Sequence, residues 1–246
     1  MKVGWEVKLG VLLVLLSALI SLVQFLIFHD TQQIFIYLLA NIAFLPIQVL
    51  FVTLLINRLL ESRERMERLK KLNLVIGVFF AEMGTHLLTY LSDLDPKLEM
   101  IKADLVVTKD WTGEEFDRVN VKLRGYDYGV DMKKVDLPYL KSFLMEKRRF
   151  LMRLSENPNL LEHESFTDLL TAVFHLTEEM AVRKNVTDLP AKDMEHLSAD
   201  LKRVYTLIVA EWLNYMRHLK DSYPHMFSLA MRTNPFDQTA SPIIKS

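Results

Sequence analysis

Two hydrophobic patterns divide this chain. Residues 9–28, LGVLLVLLSALISLVQFLIF, carry no charged side chain, and neither do residues 34–56, IFIYLLANIAFLPIQVLFVTLLI. At about 1.5 Å of rise per residue, each run is long enough to cross a hydrocarbon core about 30 Å thick. The five residues between them, His29 to Gln33, leave room only for a tight turn. The pattern predicts a hairpin of two transmembrane helices, which satisfies its backbone hydrogen bonds internally.

The few polar residues of the two runs fall on matching positions. Ser17, Ser21 and Gln24 share one helical face, and Asn41 and Gln48 are seven apart on the second helix. In an antiparallel hairpin these positions place Gln24 level with Asn41 and Ser17 level with Gln48. The expected role is interhelical packing, with small and amide side chains joining the helices. A pore lined by the same residues is the competing expectation, but amides without any intramembrane charge make a poor ion path. Pro46 removes one backbone hydrogen bond in the second run.

From Asn57 onward charges recur in nearly every turn. No Gly or Pro interrupts the chain between Pro46 and Gly77, so the second span is expected to continue as one helix that ends before Pro96. Leu59, Met66, Asn73, Phe80, Leu87 and Leu94 keep one heptad position, and Ser62, Leu69, Ile76, Met83 and Tyr90 keep the other. A single Asn at such a position, here Asn73, can set the register of a homo-oligomeric coiled coil. Leu72, Val75 and Phe79 widen the stripe, as burial inside the chain's own bundle would require.

Further helices follow from local signals. Thr112-Gly113-Glu114-Glu115 has capping-box spacing and opens a helix to Arg124, with a β-hairpin over Val119 to Met132 as the alternative. Asp136-Leu137-Pro138 opens a helix through Leu154. A further helix of about twenty residues turns Phe166, Leu169, Val173, Thr177 and Met180 inward, and Asp188-Leu189-Pro190 opens the last long helix, to about Asp221, where Pro224 stops it. The tail YPHMFSLAMRTNPF is apolar enough to dock on the bundle.

The predicted fold class is therefore all-α: a two-helix transmembrane hairpin continuing into a cytosolic helical bundle. Its parts are the hairpin (1–56), a juxtamembrane helix continuing into the bundle (57–96), a cytosolic helical domain (97–236) and a flexible tail (237–246).

Charge sets the expected orientation. The connecting turn holds no Lys or Arg, whereas residues 57–71 hold six basic against three acidic side chains, and Lys2 and Lys8 precede the first span. Positive flanks stay in the cytoplasm, so both termini are expected there. Residues 72–246 carry 22 basic and 26 acidic side chains, which gives nucleic-acid binding no support. The chain has no cysteine and seven glycines. That removes thiolate catalysis and Cys-bound metals, and none of the glycines forms a phosphate-cradling motif.

The stretches FTDLLTAVFHLTEEM (166–180), LPAKDMEHLSADLKRVY (189–205), HLKDSYPHMFSLAMRTNPF (218–236) and NRLLESRERMERLKKLNLVIGVFF (57–80) resemble a family of prokaryotic membrane proteins with two N-terminal transmembrane helices and a helical cytosolic domain. That family has no assigned activity, so the resemblance implies an architecture and no functional residue. With no targeting presequence, a prokaryotic plasma membrane is the expected location.

For chemistry, Glu82 with His86 and Glu211 with His218 extend apolar stripes on two helices. If those helices packed together, the four side chains could hold a divalent metal with mixed nitrogen and oxygen ligands. The pattern Glu-x-x-His of two-iron bundles is absent. His175 is expected on a solvated polar face, and His163, His196 and His225 are expected to be isolated. No nucleophile motif occurs. The leading expectation is a non-enzymatic membrane scaffold or sensor that forms homo-oligomers and recruits a cytosolic protein partner, without a cofactor. A metal-binding enzyme or metal sensor and a small oligomeric channel are the alternatives.

Overall fold

The computed structural model describes residues 5–28, 31–158, 160, 163–237 and 239–243. Every element among them is helical. The chain divides into two compact units, Met1–Glu64 and Arg65–Ser246.

In the first unit, α1 is Trp5–Phe28, and α2 begins at Thr31 and runs to Phe79, passing through Pro46 without a break. The turn residues His29 and Asp30, where the hairpin was expected to reverse, lie outside the described residues. The apolar side chains described here are bare: Val14, Phe35 and Phe51 are 65 to 70 % exposed. A soluble monomer rarely leaves a contiguous apolar surface of this extent uncovered. By length and composition, Leu39–Glu64 could cross a membrane, with a mean hydropathy of 2.3. Ser17, Ser21, Asn41 and Gln48 are all exposed, and the Ser21 hydroxyl donates to the Ser17 carbonyl of its own helix. The side chain of Gln24 lies outside the described ones.

The second unit is built around the end of α2 and its continuation. Phe80–Gly84 widens into a π turn, and α3 (Thr85–Asp93) carries the helix on toward Pro96. Leu72–Asp93 is a second stretch long and apolar enough to cross a membrane. Here, however, Leu72, Ile76, Phe79, Met83, Leu87, Leu88 and Leu91 are all buried in the core of the unit. The π turn occurs where Phe79 and Phe80 meet edge-on and Phe79 meets Phe166 in the same way. The extra residue per turn lets two adjacent large rings both face inward.

α4 (Gly113–Arg124) is opened by the predicted capping box, with Thr112 and Glu115 exchanging side chain to backbone hydrogen bonds. Val119 and Leu123 are buried on this helix, so the alternative β-hairpin is not formed. α5 (Leu137–Ser155) starts on the Asp136 carboxylate, which accepts from the Tyr139 backbone N–H. α6 (Glu164–Val182) and α7 (Ala191–Ser222) pack together, and α5 packs on α6.

Pro224 does more than stop α7. It occupies the first turn of α8 (Pro224–Arg232), a position where proline's missing N–H costs nothing. α8 packs on α7, and the tail docks through Phe227, Asn234 and Phe236, all buried. The Phe236 ring meets Trp212 edge-on at 5.1 Å. Beyond Phe236, Asp237 accepts from the Thr239 backbone and hydroxyl, and Arg232 donates to the Pro242 carbonyl.

Candidate metal centre

α6 and α7 run antiparallel, joined by residues 183–190. Their shared core is Leu169, Val173, Leu176 and Met180 from α6 against Leu197, Leu201 and Val204 from α7. On the rim of this interface each helix contributes two polar residues four apart, a spacing that sets both on one face. α6 supplies His175 and Glu179, and α7 supplies His196 and Asp200.

The four side chains converge. His175 Nε2 lies 3.7 Å from Asp200 Oδ1 and 4.0 Å from Glu179 Oε1. His196 Nε2 lies 3.5 Å from Asp200 Oδ2 and 3.7 Å from Glu179 Oε2. One donor atom each from His175, His196 and Asp200 fall within 4.8 Å of one another, and among the described residues this is the group so arranged. A tetrahedral ion with bonds of about 2.1 Å holds its donors about 3.4 Å apart. The His–carboxylate spacings run a few tenths of an ångström wider, and the set of one donor per residue extends to 4.8 Å, so the side chains must draw inward to close on an ion.

Two features favour a ligand over a plain polar rim. Asp200 Oδ2 is buried and has no hydrogen-bond partner, although a buried carboxylate oxygen normally has one. The other is an outer layer of fixed groups. Arg183 Nη1 donates to Glu179 Oε2 at 2.6 Å, and the same guanidinium grips Asp193 through Nε and Nη2 at 2.9 and 2.7 Å. Its hydrogen bond holds the Glu179 carboxyl below its ordinary range, and it does the same for Asp193. Groups that orient and charge first ligands in this way are a normal part of metal sites. The two imidazoles are half exposed, which leaves one side open to water. Two nitrogens with carboxylate oxygens suit zinc, cobalt, nickel or iron dications, whereas calcium and magnesium favour oxygen donors alone.

His175 and His196 are both on an exposed polar face, as expected for His175, but His196 is not isolated: it lies within 4 Å of the carboxylates of Glu179 and Asp200. The signal available in the sequence was a His followed by a carboxylate four residues later on two neighbouring helices. Their juxtaposition depended on how α6 docks on α7.

The four side chains singled out for a metal take other partners. Glu82 lies 3.7 Å from Lys147 Nζ. His86 Nε2 lies 2.5 Å from the Tyr139 hydroxyl, with its ring against Phe143. Glu211 is buried on α7, where Ser165 donates to it at 2.8 Å and His163 Nε2 approaches to 3.9 Å. Burial pushes its carboxyl up from the ordinary value. His218 Nδ1 lies 3.2 Å from Asn73 Nδ2, and burial lowers its imidazole. Asn73 therefore has a polar partner within its own chain. Together with Leu74, Gly77, Val78, Tyr215 and Met226, this pair borders an apolar cavity of about 420 Å³.

Comparison with known proteins gives a family. A model described as "Uncharacterized protein MJ1433, C-terminal helical domain" matches residues 68–232, and one described as "MJ1433, N-terminal helical domain" matches residues 1–60. The "Uncharacterized protein MJ1433" of Methanocaldococcus jannaschii is 43 % identical over 229 residues, covering 93 % of this chain and 92 % of that protein. No solved structure matches the chain. The two helical units described above correspond to the two helical domains of these models, and the chain belongs to the MJ1433 family.

Proposed function

We propose that this protein is a membrane-anchored metal-binding module, in which the first unit sits in the bilayer and the helical second unit binds a divalent transition-metal ion between α6 and α7. The observation that carries the metal is the convergence of His175, His196 and Asp200 from two helices, with a buried Asp200 oxygen that has no hydrogen bond and lies 3.5 Å from His196 Nε2. The bare apolar side chains of α1 and α2, and the positive residues that follow them, support the anchor. In this reading both termini and the metal centre face the cytoplasm.

A sensor fits this geometry better than a closed structural site. The ion would join two helices at the rim, and an open side lets it exchange with the surrounding solution. The test is metal analysis of protein purified from membranes without chelator, followed by titration with Zn²⁺ or Co²⁺. One equivalent per chain, lost in His175→Ala and in His196→Ala, is the expected result. No stoichiometric binding, or binding unchanged in both variants, overturns the proposal.

A further inference from the structure

Resting on the metal reading above, we infer that Glu179 is the fourth ligand of the centre and that Arg183 couples metal loading to the α6–α7 connection. The ion is of the zinc and cobalt class, and Arg183 acts as a positioning residue.

The Glu179 carboxylate stands beside the three-donor group rather than within it, with a different oxygen turned to each imidazole, so one oxygen must move inward to complete a four-ligand set. Oε1 faces His175 Nε2 and Oε2 faces His196 Nε2, at 4.0 and 3.7 Å. Arg183 occupies Oε2 and leaves Oε1 available, so the carboxylate can bind an ion through one oxygen while keeping its cationic partner through the other.

The coupling follows from what else Arg183 holds. Nη1 also donates to the Glu179 carbonyl at 2.6 Å, in the last turns of α6, while Nε and Nη2 fork onto Asp193 in the first turn of α7. Lys141 from α5 donates to the Arg183 carbonyl. An ion that draws Glu179 toward His175 and His196 must therefore pull on a guanidinium already bonded to both sides of the connection. Bidentate guanidinium–carboxylate pairs transmit such a displacement because their geometry is fixed. Residues 184–190 then tighten when the metal binds. Lys184, exposed in that segment, is a cleavage point at which tightening can be read.

The experiment uses the full chain in detergent with Co²⁺ as the probe. Visible absorption reads the coordination of the ion, and limited trypsin digestion reads cleavage after Lys184. In the wild-type chain Co²⁺ is expected to give the intense absorption of a four-coordinate ion and to slow cleavage after Lys184 several-fold. Glu179→Gln is expected to bind Co²⁺ at least tenfold more weakly, with the paler spectrum of a more hydrated ion. Asp193→Asn leaves the ligands in place, so it should keep the spectrum and lose the protection. A wild-type spectrum and affinity in Glu179→Gln would overturn the ligand assignment, and full protection in Asp193→Asn would overturn the coupling, while the metal reading stood in both cases. Failure of the wild-type chain to bind Co²⁺ would overturn the metal reading itself.

Discussion

The hydroxyl of Ser165 donates a hydrogen bond to the buried carboxylate of Glu211 at 2.8 Å, joining the first turn of α6 to the middle of α7. His163 stands on the other side of the same carboxylate, and its Nδ1 accepts from the Phe166 backbone N–H to cap α6.

That carboxylate makes stability depend on pH. Burial raises the Glu211 carboxyl above its value of 4.5 in the unfolded chain, an effect that His163, Ser165 and Asn214 partly offset. Between the unfolded and folded values the native state holds the extra proton, so stability falls as pH rises through that window. Glu211→Gln should flatten this dependence and stabilise the protein at neutral pH by about 1 kcal/mol. Thermal melts of the two proteins at pH 5 and pH 8 measure it. An equal loss of stability in the variant at both values would contradict the account.

Asn73 and His218 form the second polar contact inside an apolar interface. Asn73→Leu removes the donor to His218 Nδ1 and should cost about 1–2 kcal/mol. Because this partner lies within the chain, the molecular mass in detergent should stay unchanged, which light scattering can check. His218 is lowered by burial, so the stability it confers is present above its ordinary value of 6.5 and is lost as pH falls through the folded value. The wild-type melting temperature should accordingly drop on acidification more steeply than that of His218→Phe.

Gly84 closes the π turn. A Cβ at this position would sit 2.6 Å from Phe79 Cε1 and 2.9 Å from Phe80 Cδ1. Both rings are buried and have little room to move, so Gly84→Ala should destabilise the second unit by about 1–3 kcal/mol. Denaturant unfolding followed by tryptophan fluorescence tests this, and an unchanged midpoint would show that the turn can relax.

Metal should act as a stabilising ligand. Free ion at one hundred times its dissociation constant adds about 2.7 kcal/mol to the folded state, which raises the melting temperature by about 5–10 °C for a chain of this size. A chelator should remove the whole increment. His196→Ala should melt at one temperature with and without Zn²⁺, and a persistent Zn²⁺ shift in that variant would place the ion elsewhere.

Much of the architecture could be read from local pattern. The Thr112–Glu115 capping box, the start of α5 at Asp136 and the inner face of α6 from Phe166 to Met180 depend on neighbours within one or two turns, so sequence spacing suffices. Pro224 shows where the same logic stopped short. Its ring ends α7, but whether a new helix begins there depends on Phe227 finding a place to be buried.

The candidate site was less legible because its residues look ordinary on each helix alone. His175 and His196 lie on the polar rims of their stripes, and rims are usually solvated. Glu82, His86, Glu211 and His218 were conspicuous because they continue apolar stripes, and each found a separate polar partner where its own helix docked.

By itself the sequence determined the long helices, the caps of α4 and α5 and the division between an uncharged, apolar first part and a charged second part, because hydrogen bonding along a helix and hydrophobic periodicity act over a few residues. Only the tertiary structure decided which polar rims meet. The antiparallel docking of α6 on α7 brings two His–carboxylate pairs within 4 Å, since the apolar contacts between the stripes fix the register and the rims must follow it.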